Sequence, residues 1–239
     1  MENFLTKFTQ DFIEKERWKF ITNGLKVTLI VTLLALLIGT LIGIVVAIVR
    51  CAHDQQTSNE LRGFKGFILK LLNWICKLYV TIIRGTPALV QLLIMYYVIL
   101  VTAKSKILVA VLTFGINSGA YVAEIFRGGI MSVDPGQMEA GRSLGLNYVQ
   151  TMVKIVLPQA FKATLPALVN EFIALLKETS ICGYIGLNEL TRGGDIIRGT
   201  TFDALLPLFA VALIYLVLVL IISYLSGLLE RRLRKSDIR

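Results

Sequence analysis

Charge is scarce in this chain: 17% of its 239 residues are charged against 55% hydrophobic, and the mean hydropathy is +0.71. Cysteine and histidine are scarcer still. Cys51, Cys76 and Cys182 lie far apart without metal-type spacing, which argues against a disulfide framework and a zinc site. The only histidine, His53, falls in a polar stretch, so neither a catalytic nor a metal site is expected. No Gly-x-x-x-x-Gly-Lys-Ser/Thr segment occurs, so the usual cradle for nucleotide phosphates is missing. The net charge of +9 comes from Lys and Arg dispersed at the ends of apolar runs rather than from a patch interleaved with aromatics. That pattern speaks of membrane topology and sets nucleic acid aside as a partner.

What the chain has in abundance is uninterrupted apolar sequence, and the fold expected from it is an all-α integral membrane protein. Residues 27–49, between Lys26 and Arg50, are uncharged and long enough for span one; Gly39 and Gly43 within them offer a close-approach step. The second span is ambiguous. Residues 85–103 are uncharged, whereas residues 67–83 contain Lys70 and Lys77 and read as an amphipathic extension or as a separate crossing. One long helix bent at Pro87 is favoured, giving five spans with a sixth possible. Span three occupies 107–123, with Glu124 and Arg127 one turn apart as an ion pair at its base. Span four is placed at 165–184 and span five at 204–229, before the basic run at 231–235. That tail sets the C-terminus inside by the positive-inside rule, and five crossings put residues 1–26 outside. The division expected is 1–24, an amphipathic segment lying on the membrane with Phe4, Phe8 and Phe12 at helical spacing; 25–230, the transmembrane domain; and 231–239, a basic cytoplasmic tail.

The polar island at 134–158 stands out between spans three and four. Asp134 is a good N-cap, Pro135 suits the first helical position and Gln137 follows three residues after the cap, so a short helix is expected to stop near Gly145. Asn147 and Gln150 repeat the arrangement. A second helix is expected to run to about Val156, because Pro158 has no N–H and disfavours helical dihedrals at Leu157.

The spacing of Glu139-Ala140-Gly141, Gly145, Ile155 and Leu157-Pro158 resembles the signature loop of ABC importer membrane subunits of type I fold, with Gly141 replacing the family's second Ala. Two further stretches, 84–93 and 118–130, together with Leu176-Lys177-Glu178-Thr179-Ser180, resemble the polar amino acid uptake branch. The resemblance implies a multi-pass permease of the bacterial inner membrane, with the 134–158 loop as a cytoplasmic coupling hairpin docking on an ATPase through Glu139, Ala140, Gly141 and Gly145. It also implies a dimeric pathway made with a second copy or a homologous permease. Its partners would be a cytoplasmic ATPase dimer that binds ATP and Mg, an extracytoplasmic amino-acid-binding protein, and lipid. No cofactor belongs to this chain, which is read as a transport subunit and not an enzyme.

Span four agrees with a polar cargo. Asn170 and Lys177 are seven apart, as are Glu171 and Glu178, so each pair shares a helical face beside the small Ala167 and Ala174. Glu171 has no basic residue at i±3 or i±4, and an intramembrane carboxylate costs about 2.5–3.5 kcal/mol on insertion scales. Asn170 and Glu171 are therefore expected to contact the ammonium or side chain of the substrate, and Lys177 its carboxylate. The competing readings are a Glu171 paired to another subunit and an interfacial Lys177. A channel-like protein or a membrane scaffold without ATP coupling is the alternative function; either leaves the island at 134–158 unexplained.

Overall fold

A computed structural model describes residues 4–54 and 63–237, with side chains to residue 232. It is helical throughout, with no strand among the described residues. The elements are α1 (Phe4–Phe8), α2 (Trp18–Asp54), α3 (Phe64–Gly85), α4 (Ala88–Ile94, prolonged by a π turn, Met95–Ile99), α5 (Lys106–Met131), α6 (Pro135–Ser143), α7 (Tyr148–Thr151), α8 (Leu157–Glu178), α9 (Leu190–Thr201) and α10 (Leu205–Asp237). Among the described residues five stretches are long and apolar enough to cross a membrane: Trp18–Asp54, Phe64–Gly85, Lys106–Met131, Tyr148–Ile185 and Leu205–Arg232. At ~1.5 Å per residue the 37 residues of α2 exceed the ~30 Å hydrocarbon core, so this helix continues beyond it.

The second span corrects the bent-helix expectation. The crossing helix is α3, the segment that carries Lys70 and Lys77, and 85–103 is not a span: Ala88–Ile99 is too short to cross. Thr86 and Pro87 are both extended (φ −123°, ψ 145° and φ −64°, ψ 135°), so the helix ends instead of kinking. The cause is local. The proline ring disfavours helical dihedrals at Thr86, and Thr86 Oγ1 donates to the Ile82 carbonyl at 2.8 Å, satisfying a terminal acceptor. Only Gly66, Asn73 and Val80, seven apart, are buried on α3, while Lys70 and Lys77 are exposed.

Span four is also longer than the expected 165–184. Leu157-Pro158 does not end the second hairpin helix. A π turn at Met152–Val156 joins α7 to α8, and the Leu157 N–H bonds to the Met152 carbonyl, five residues back. Widening the helix just before the proline absorbs its ring and missing donor.

By contacts the chain forms two compact units. One comprises Met1–Leu36, Pro87–Gly115 and Phe172–Leu225. Its core joins Phe12, Ile21, Leu190, Ile197 and Val211. Residues 4–16 do not form one continuous helix: α1 gives way to a π turn at Thr9–Ile13 and a 3-10 turn at Glu14–Glu16, and Asp11 and Phe12 are buried while Phe4 and Leu5 stay exposed. Lys7 pairs with Asp203 at 3.7 Å. The other unit comprises Leu37–Thr86, Ile116–Glu171 and Ser226–Arg239. It holds two apolar clusters, Val46, Val80, Ala120 and Ala123 in one, Cys51, Ile130, Val156 and Ala160 in the other. In it the Gly43 step of α2 meets Val122 of α5 so closely that a Cβ would stand 2.5 Å from a valine methyl.

Candidate functional site: a capped hairpin and a polar stretch of α8

The island at 134–158 folds as a hairpin whose turns are written in its residues. Asp134 Oδ1 accepts from the Gly136 N–H at 2.7 Å with Pro135 at the first helical position. Gln137 does not complete a capping box; its side-chain oxygen instead accepts from Gln159 Nε2 at 3.3 Å. At the other end of α6, Gly145 takes φ +85°, the Leu146 N–H reaches the Gly141 carbonyl at 3.2 Å and the Gly145 N–H reaches the Arg142 carbonyl at 3.0 Å. This paired closure needs a left-handed residue, for which glycine has no steric penalty. The second cap is reciprocal: Asn147 Oδ1 accepts from the Gln150 N–H at 2.9 Å, and Gln150 Oε1 accepts from the Asn147 N–H at 3.0 Å.

Gly141 is where the two arms touch. It is buried, and a Cβ there would stand 2.4 Å from Thr151 Cγ2 and 3.0 Å from Ile155 Cδ1. Glu139, Ala140 and Gly145, by contrast, are exposed. Glu139 and Arg142 border an open groove of about 450 Å³ with Met131, Met138 and Tyr148. The hairpin is fixed to the rest of its unit by the cluster of Cys51, Ile130, Val156 and Ala160, against which Met138, Met152 and Leu157 pack. Next to this anchorage on α5, Glu124 accepts from Arg127 Nε and Nη2 at 3.2 and 2.9 Å, the expected pair. Arg50 of α2 also donates to Glu124, making a triad that a span-by-span reading does not foresee. Arg84 lies with its guanidinium 5.3 Å from the Tyr121 ring centroid, a cation–π contact.

Asn170, Glu171 and Lys177 all belong to α8. Asn170 and Lys177 are exposed, and Glu171 is half-buried. Glu171 Oε1 accepts from Ser118 Oγ of α5 at 2.7 Å, a partner that lies too far away in sequence for helical spacing to suggest. Glu189 also escapes sequence reading, because glutamate is not among the preferred N-caps. It is 1% exposed and accepts from the Thr191 and Arg192 N–H groups, both at 2.7 Å, opening α9. Burial pushes this carboxyl above its ordinary range, and the two N–H donors pull it back. No cluster of His, Cys, Asp and Glu suited to a metal occurs among the described residues.

A family of binding-protein-dependent transport system inner membrane components matches residues 66–235. The arginine transport system permease protein ArtQ of Bacillus subtilis (strain 168) is 40% identical over 181 residues, covering 74% of this chain and 80% of the relative. The glutamine transport system permease protein GlnP of Escherichia coli (strain K12) is 39% identical over 177 residues, covering 72% and 80%. Among solved structures, an amino acid ABC transporter crystallised with histidines aligns at a TM-score of 0.81 with 38% identity, over 97% of this chain and 99% of that one. The inward-facing MetNI methionine ABC transporter aligns at 0.75 over 92% and 98%, and at 20% identity it speaks for the fold alone.

Proposed function

The chain belongs to the family of binding-protein-dependent transport system inner membrane components, and from that premise we propose that it is the membrane-spanning subunit of an ATP-driven importer of polar amino acids in the bacterial inner membrane. It works as a dimer with itself or a homologous permease. An extracytoplasmic binding protein delivers the cargo, and ATP and Mg are bound by a separate cytoplasmic ATPase dimer. Relatives named for arginine, glutamine and cystine transport support the cargo class.

The observation that carries this reading is the doubly capped hairpin. A short helix presented by fixed caps on both sides, with Glu139 and Ala140 exposed, is a rigid handle, and rigidity is what transmitting force requires. Closure of the ATPase on nucleotide pushes that handle. The push passes through Met138 and Met152 into the cluster with Cys51 of α2 and Ile130 of α5, and the Arg50–Glu124–Arg127 triad keeps those two helices in step. In α8, Asn170 and Glu171 receive the ammonium or side chain of the cargo and Lys177 favours its carboxylate.

Purification of the chain from its native membrane tests this. A phosphate-loop ATPase accompanies it, and its turnover rises when binding protein and amino acid are added together. Solute movement by the purified chain with no ATPase attached contradicts the proposal. Uptake competition among labelled arginine, glutamine, histidine and cystine then identifies the cargo.

A further inference from the structure

We propose that Ser118 is a positioning residue for the cargo contact of Glu171, holding its carboxylate in the orientation that receives a cationic group; this rests on the reading of Glu171 given above. Two other buried hydroxyls in these helices return their proton to a carbonyl of their own helix. Thr32 donates to the Thr28 carbonyl at 2.8 Å and Thr113 to the Val109 carbonyl at 2.7 Å. That is the ordinary habit of a buried helical hydroxyl. Ser118, fully buried in the middle of α5, instead donates across to Glu171 Oε1, at 2.7 Å and so within reach of the short range of charge-assisted bonds.

The donor is itself immobilised. Gly39 of α2 lies so close that a Cβ there would stand 2.8 Å from Ser118 Cβ and 3.0 Å from its Oγ. On the next residue, a Cβ at Gly119 would meet Tyr79 Oη at 2.7 Å and Ile42 Cγ2 at 2.9 Å. Tyr79 Oη donates in turn to the Ile116 carbonyl at 2.5 Å. This turn of α5 is therefore clamped by α2 and α3, and the hydroxyl cannot follow a wandering glutamate. A long, rotatable carboxylate held by a fixed donor loses less freedom when a ligand arrives, and the ligand meets it already aimed. Helix–helix cohesion alone predicts the same hydrogen bond but not an effect on affinity, which gives the test its edge.

The complex of permease and co-purified ATPase is titrated in detergent with radiolabelled arginine, glutamine, histidine and cystine, and the dissociation constant is read for each that binds. Ser118→Ala weakens binding about tenfold, a difference of about 1.4 kcal/mol, in a complex that still assembles. Glu171→Gln weakens binding by at least as much, and adding Ser118→Ala to it costs nothing further. Ser118→Cys, which keeps a side chain of the same branching but donates weakly, shifts affinity in the same direction should the alanine variant fail to assemble. Two independent, multiplying losses, or a lowered melting temperature with unchanged affinity, reduce Ser118 to a helix tie and overturn the inference while leaving Glu171 in place. Unchanged affinity in Glu171→Gln, or no saturable binding by the wild-type complex, removes Glu171 as a cargo contact and this inference with it.

Discussion

Replacing Gly141 by alanine restores the residue that the signature of related importers carries, and helix propensity alone says it stabilises α6 by about 1 kcal/mol. The packing says the opposite. The new Cβ would sit 2.4 Å from Thr151 Cγ2, and that methyl cannot simply turn away, because Thr151 Oγ1 donates to the Asn147 carbonyl at 3.0 Å. Ile155 Cδ1, at 3.0 Å, closes the remaining side. Inserting a methyl into such a contact costs about 1–3 kcal/mol. Against the propensity gain, the net expectation is a hairpin less stable by about 1 kcal/mol, which speeds amide hydrogen exchange across residues 135–156 about fivefold. Exchange read by mass spectrometry on the solubilised protein measures this directly. A second substitution sharpens it: Thr151→Ser deletes the clashing methyl and keeps the hydroxyl bond, so Gly141→Ala with Thr151→Ser returns exchange to near the wild-type rate. Slower exchange in Gly141→Ala alone refutes the reasoning, because the arms would then have room that the geometry denies them.

Glu139→Lys, placing a cation at the exposed centre of α6, uncouples ATP turnover from uptake in reconstituted vesicles without lowering the melting temperature; full coupling counts against docking through this helix. Glu124→Gln removes the negative charge shared by Arg50 and Arg127, whose side chains are 13% and 26% exposed, and lowers stability by about 1–3 kcal/mol in thermal unfolding, less than for a fully buried pair. Glu189→Ala removes two caps of α9 and costs about 1–3 kcal/mol, whereas Glu189→Gln, which retains an acceptor, costs less; exchange rates in Leu190–Thr201 separate the two. Burial, aided by neighbouring Asp203 and opposed by the Thr201 hydroxyl, Arg17 and Lys7, raises the Asp11 carboxyl above its ordinary value. A folded pKa above the unfolded one gives a contribution fully present below the unfolded value and lost as pH rises through the folded one. The N-terminal segment thus resists proteolysis better in mild acid than at neutral pH, and Asp11→Asn flattens that difference.

The hairpin was the most legible part of the chain because its information is local. Asp134-Pro135, Gly145, and Asn147 with Gln150 each act within four residues, and the structure places caps and the left-handed turn at those positions. The α8 polar stretch was legible only as a helix face. Spacing along one helix says which side chains share a side, but it cannot name Ser118 for Glu171 or Arg50 for Glu124, which lie 53 and 74 residues away in sequence. The buried Glu189 was illegible for a further reason: the cap it provides depends on the tertiary burial of a residue type that caps poorly in isolation.

Proline shows most sharply where local rules stop. Pro87, Pro158 and Pro166 all lack an N–H and all crowd the preceding turn, yet only Pro87 ends a helix. The difference lies in what precedes each ring. Before Pro87, Thr86 has a hydroxyl that takes over the Ile82 carbonyl, so an extended residue leaves that acceptor satisfied and the break is cheap. Before Pro158, the π turn shifts bonding to a five-residue step and makes room for the ring while the helix carries on. Pro166 is carried inside α8 near Thr164, whose hydroxyl donates to the Phe161 carbonyl at 2.9 Å. Continuity at Pro158 has a mechanical consequence: the second arm of the hairpin and the helix bearing Asn170 and Glu171 form one rod, so a displacement at Gln150 reaches Glu171 without crossing a loop. A flexible insertion of two glycines between Val156 and Leu157 breaks that rod, and on the proposed mechanism it leaves ATPase binding intact while abolishing uptake, since the handle would then move without the helix that carries Asn170 and Glu171.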